Sequence, residues 1–124
     1  MRIFVALLFI FGSVMGHAQL QDSEVESTST QYISGSGHAS SFCQGGPMSY
    51  FCMDQVKDSS RRDAVRDATW TCQSRQGSAD TFSATCNDFC TPFSIPEGQN
   101  QYVSCQSNCT IRCEITNHAN EITE

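Results

Sequence analysis

Apolar residues are spread unevenly along this chain, and each change in their spacing predicts a different element. Positions 3–11 are an unbroken apolar run from Ile3 to Phe11, behind Arg2 and ahead of Gly16-His17-Ala18. A basic start, a short apolar core and a small-residue cleavage site are the parts of a signal peptide. The run is about half of the ~20 residues that a membrane span needs. Residues 1–18 are therefore expected to be removed, leaving a mature chain that starts at Gln19 and has no membrane span.

Apolar periodicity then disappears. From Gln21 to Ser41 Ser, Thr and Gly dominate and Tyr32 is the only aromatic, a composition that buries too little to order itself. Residues 19–42 are accordingly expected to form a flexible Ser/Thr-rich arm, with Ser27-Thr28-Ser29-Thr30 as a dense hydroxyl cluster suited to O-glycosylation or simply to solvation.

A helical spacing appears at about 61–76. Val65, Ala68 and Cys72 recur at i, i+3 and i+7, which places one stripe against a core. Ser60 is set to cap this helix with Asp63 answering three residues on, and Gly77 is a stop that tolerates positive φ. Asp58 with Arg62, and Asp63 with Arg66, read as solvated helical ion pairs. Trp70 falls off the core stripe by about 140°, so either it anchors a partner or other chain packs over it, the second being the usual fate of a large aromatic. A shorter helix is expected from Asp80 to Cys90, with Phe82, Cys86, Phe89 and Cys90 on one side and Pro92 ending it. Thr91 to Gln101, with Pro92, Pro96 and Gly98, reads as a loop.

The last segment alternates. Val103, Cys105, Cys109, Ile111, Cys113 and Ile115 occupy odd positions with polar residues between them, the period of a strand. Its cysteines also recur every four residues, which would suit a helix stapled to the one carrying Cys86 and Cys90. The intervening residues are β-branched or polar, so residues 102–116 are expected to be a strand or a hairpin turning near Ser107-Asn108.

Cysteine changes the picture most. Eight cysteines, Cys43, Cys52, Cys72, Cys86, Cys90, Cys105, Cys109 and Cys113, all follow residue 42. An even set behind a secretory leader implies four disulfides, and small secreted domains need such links because their cores are small. Connectivity stays open among 105 pairings. The fold class is therefore a small disulfide-rich α+β domain over residues 43–116, followed by a polar tail at 117–124. Spacings of three residues between cysteines do not match zinc knuckles, and an even count leaves no thiol for catalysis.

Charge narrows the partners. The formal charge of −6 becomes −7 once the leader takes Arg2 with it, leaving six basic against 13 acidic side chains. This disfavours nucleic acid and anionic membrane surfaces. His17 leaves with the leader, His38 and His118 fall in the arm and the tail, and no phosphate loop, nucleophile elbow or calcium loop is present. An enzyme is not expected, and neither a metal nor any other cofactor is implied. The candidate contact and modification residues are Trp70, Phe93 and Tyr102 as exposed anchors, and Asn108 in Asn108-Cys109-Thr110 as an N-glycosylation acceptor crowded by a bridged cysteine.

Three functional classes follow. A secreted structural or extracellular-matrix component, biomineral-associated in one version, is placed first; a ligand or toxin acting on a receptor or channel is second; an inhibitor presenting Thr91 to Gln101 is third. The partner is then an extracellular protein or matrix. A matrix component should show a broad acidic face and a modified arm, whereas a ligand or inhibitor should show a compact exposed apolar patch.

Overall fold

The structure is a computed structural model that describes residues 26–117; the leader and the tail beyond Asn117 lie outside the described residues. Its order is β1 (Ser27–Gln44), α1 (Ser49–Ser74), β2 (Gly77–Thr91) and β3 (Asn100–Asn117). The three strands form one antiparallel sheet in the order β1-β3-β2, so β1 and β2 run the same way with β3 between them. Helix α1 covers one face. This is an α+β fold with four disulfides, Cys43–Cys52, Cys72–Cys113, Cys86–Cys109 and Cys90–Cys105.

The alternation of β3 reads directly into the structure. Val103, Cys105, Ser107, Cys109, Ile111 and Cys113 are buried under the helix, and the even positions between them face the other way because successive side chains of a strand point to opposite faces. It is a single strand, paired to β1 without interruption from Asn100 to Asn117, rather than a hairpin.

Residues 27–44 correct the expectation of a flexible arm: they are β1, paired along their whole length to β3. Ile33, Gly35, Gly37 and Cys43 are buried on the helix side, while Tyr32, Ser34, Ser36 and His38 are exposed. The alternation is present, but the buried positions are mostly too small to register as hydrophobic. Their smallness has a cause in packing. A Cβ at Gly35 would collide with the carbonyl of Ala64 and the amide of Ala68, and one at Gly37 with Ser60 and Ala64. The helix backbone rests on β1 at these two glycines, over the small side chains of Ser60, Ala64 and Ala68. Asp67 then accepts the Ser36 N–H at 3.0 Å, occupying one of the edge donors that would otherwise invite another strand.

Helix α1 begins well before the expected start at 61. Its buried residues Met53, Val56, Ser60, Ala64, Ala68 and Cys72 form one continuous stripe, so Ser60 lies in mid-helix and is not a cap. Ser60 gives its place in the sequence a different meaning, as a buried hydroxyl. Arg66 pairs with Asp63 at 3.4 Å as expected, but Arg62 donates to the backbone carbonyl of Asp58 rather than to its carboxylate. At the far end Gln76, not Gly77, takes the positive φ of 60°. Gly77 is small for another reason: a Cβ there would meet the sulfurs of Cys72 and Cys113.

The expected helix at 80–90 is also corrected. These residues belong to β2, whose register with β3 breaks between Asp80 and Thr85. In the break the Ser83 hydroxyl accepts the Arg112 N–H at 2.8 Å and donates to the Asp80 carbonyl at 2.7 Å. Polar side chains thus replace the missing ladder bonds, and Phe82 projects fully into solvent. Beyond the break, Cys86 faces Cys109 and Cys90 faces Cys105 in register. A four-residue spacing keeps both cysteines of each strand on one face in a sheet as well as in a helix, which is why spacing alone did not separate the two.

Candidate functional site: the aromatic end of the sheet

The core beneath α1 has two apolar clusters. One gathers Met53, Val56, Ile95 and Val103 with the disulfide cysteines near the start of the helix; the other gathers Ile33, Ala68, Ile111 and the Cys72–Cys113 bridge. Between them lies a polar network. Ser60 and Ser107, both buried, meet at 2.5 Å between their hydroxyl oxygens. Ser107 donates to Asp88 Oδ1 at 2.7 Å, and Ser60, with one proton to give, shares it between the Ser107 oxygen and the Lys57 carbonyl 2.9 Å away. Asp88 also receives the Arg61 guanidinium, through Nε at 2.7 Å and through a second nitrogen. The Arg61 hydrogen bonds hold the Asp88 carboxyl below the ordinary carboxylate range, against its partial burial and with help from Ser107. The same pairing raises Arg61. A carboxylate anchored in this way is a structural acceptor that ties β2 to α1 and β3.

Among the described residues nothing covers the face of the sheet away from the helix. Its register rows set Ser40 beside Ser104, His38 beside Gln106, Ser36 beside Asn108 and Ser34 beside Thr110. On the other side of β3 they set Thr91 beside Ser104, Phe89 beside Gln106, Asn87 beside Asn108 and Thr85 beside Thr110. The middle is hydroxyls and amides. His38, expected in a loose tail, is part of this face and contacts the Ser104 hydroxyl through Nε2 at 3.1 Å. Among the described residues no protein group orients its other ring nitrogen, so the pair lacks the third member that positions a catalytic histidine.

Aromatics crowd one end. Phe42 and Tyr102 are register partners on the open face, Phe89 stands on the same face, and Phe93 follows in the loop to β3; all four are largely exposed. Tyr50 and Phe51, equally exposed, begin the helix just past the end of β1. Phe89 and Phe93 line a hollow of about 420 Å³ with Pro92 between them. The loop is held from below: Ile95 is buried in the first apolar cluster, Gly45 N–H donates to the Gln99 carbonyl at 2.6 Å, and Cys90–Cys105 closes its base. Rigid aromatics projecting from a pinned frame lose little entropy on binding, and exposed aromatic clusters of this kind mark interaction surfaces.

The residues singled out from sequence therefore fall in four places. The eight cysteines lie in the frame. Phe93 and Tyr102 belong to the aromatic end, but Trp70, 59 % exposed, stands apart on the solvent side of α1. Asn108 is exposed at the centre of the open face. Phe42 and Phe89 were missed, one as the end of an arm and the other as a helical core position. A signal for both was available: each precedes a buried cysteine, and in a strand the neighbour of a buried residue faces outward.

Among the described residues no helix is long and apolar enough to cross a membrane, and no group of three or more His, Cys, Asp or Glu side chains is placed to hold a metal ion. Comparison with family models, curated proteins and solved structures finds no match to this chain.

Proposed function

We propose that this protein is a secreted, non-enzymatic ligand that engages an extracellular protein partner through the aromatic end of its sheet. The observation that carries this reading is the concentration of Phe42, Tyr102, Phe89 and Phe93 as exposed side chains on a disulfide-closed end of the molecule. Buried aromatic anchors dominate the energetics of protein interfaces, and four disulfides are compatible with an extracellular location. The net negative charge of the chain favours a partner whose apolar site has a basic rim.

The patch also reorders the three classes. Exposed aromatics at one end of the sheet fit a ligand or inhibitor better than a matrix component, and residues 27–44, which a matrix protein would carry as a modified arm, are instead a sheet strand. The matrix reading therefore moves to second place.

Displacement binding on tissue from the source organism tests the proposal. Labelled protein should be displaced by unlabelled wild type, and a Phe89→Ala, Phe93→Ala double variant with intact disulfides should compete at least tenfold more weakly, as loss of an anchor costs. A Trp70→Ala, Phe82→Ala variant should compete like wild type. Label retained in an insoluble matrix and indifferent to the Phe89 and Phe93 changes would favour the matrix component.

A further inference from the structure

We infer that Asn108 carries an N-linked oligosaccharide, which covers the polar middle of the open face. The inference rests on the secretory route of the proposed function. Asn108-Cys109-Thr110 is the only Asn-x-Ser/Thr triplet in the chain, and such a triplet in a secretory protein is an acceptor for glycan transfer.

The objection from sequence is that Cys109 is bridged and crowds the acceptor. The strand removes it. Cys109 turns under the helix, fully buried, and bonds Cys86 there, while Asn108 and Thr110 lie on the opposite face because side chains alternate along β3. The bridge and the acceptor are on different sides of the sheet.

The folded protein has room for the sugar. Asn108 is exposed, and its cross-strand neighbours are the short side chains of Ser36 and Asn87. Thr110 is held on the same face by its 2.8 Å contact with Ser34. Large side chains begin in the next row toward the start of β3, at His38, Gln106 and Phe89, and two rows away in the other direction, at Tyr32 and Arg112.

The chemistry is a group transfer without redox change. Asn108 Nδ2 attacks C1 of an oligosaccharide carried on a lipid diphosphate; the N–C1 bond forms, the C1–O bond to the diphosphate breaks, and the lipid diphosphate leaves with that electron pair. Nδ2 gives up one of its two protons, which is taken up by the departing diphosphate or by water.

The full chain with its own leader, expressed in eukaryotic secretory cells, provides the test. Protein from the medium should fall in mass by one oligosaccharide on treatment with peptide N-glycosidase F, which leaves an aspartate at position 108. Thr110→Ala should abolish the shift, and Thr110→Ser, which keeps both the acceptor triplet and the hydroxyl facing Ser34, should retain it. Secreted wild-type protein with an unmodified Asn108 peptide would overturn the inference and leave secretion standing. Protein that stays in the cytosol with its leader attached would overturn both together.

Discussion

β1 and β2 are fastened to the same central strand by opposite means. β2 shares two disulfides with β3, at register positions 86/109 and 90/105, and its ladder is broken between Asp80 and Thr85. β1 shares none with β3; its single disulfide ties its end to α1, while its ladder runs unbroken from Ser27 to Gln44 with the helix seated on Gly35 and Gly37. Covalent rungs hold a strand whose hydrogen bonding is interrupted. A continuous ladder with close backbone packing holds the other without them. The lesson is that disulfides need not be spread evenly to stabilise a small domain, because each acts mainly by restricting the unfolded chain and not by reinforcing the contacts beside it.

That contrast can be broken. Gly37→Leu drives a side chain into the backbone of α1, and the expected loss, above about 4 kcal/mol, is at the exceptional end for a point change. Denaturant unfolding should show it against Ser36→Leu, whose side chain points to open solvent and which should differ little from wild type. A Gly37→Leu protein as stable as wild type would refute the close-packing account of β1. On the other side of the sheet, replacing Cys90 and Cys105 together by Ala should cost about 3 kcal/mol, the chain-entropy value for a loop of this length. Disulfide mapping should still find Cys86 joined to Cys109, since one rung suffices to keep register.

Smaller changes sharpen the comparison at the seam. Ser107 links the helix to β2 through Ser60 and Asp88, so Ser107→Ala removes the hydroxyl that joins them while Asp88 keeps Arg61 and Ser60 keeps the Lys57 carbonyl, and it should lower stability by about 1 kcal/mol, measured in the same way. The Asp88 carboxyl titrates below its unfolded value. Its contribution is therefore complete above the unfolded carboxylate range, near pH 4, and is lost as pH falls through the folded value. Stability should drop on acidification through that window, and Asp88→Asn should flatten the acid limb; an unchanged limb would remove Asp88 from the account. Smallest of all, Trp70→Ala should shift stability by no more than about 0.5 kcal/mol, as for an exposed side chain with no structural partner.

The sequence was most legible where side chains are chemically loud. Alternation of cysteine, Val103 and Ile111 located β3, and the spacing of Val65, Ala68 and Cys72 located the second half of α1. It was least legible at Ile33, Gly35, Gly37 and Ala39, an alternation with almost no hydrophobic contrast, and at Ser60, whose residue type favours a cap. The segment from Asp80 to Cys90 misled for a third reason: its bulge disrupts the period of two, leaving cysteines four apart that fit either geometry.

For the candidate site, exposure was the missing quantity. Phe93 and Tyr102 could be named as anchors because they sit in or beside a loop, but Phe42 and Phe89 required the strand direction of the cysteines beside them. By itself the sequence determined the chemical inventory: four bridges' worth of thiols, an alternating cysteine-bearing segment, one glycosylation triplet and a net negative charge. Only the tertiary structure decided which cysteines meet, that a Gly-rich stretch is a strand, and that scattered aromatics converge at one end. Those outcomes depend on contacts between residues far apart in the chain, and local spacing carries no information about which distant backbone will lie close enough to demand a glycine.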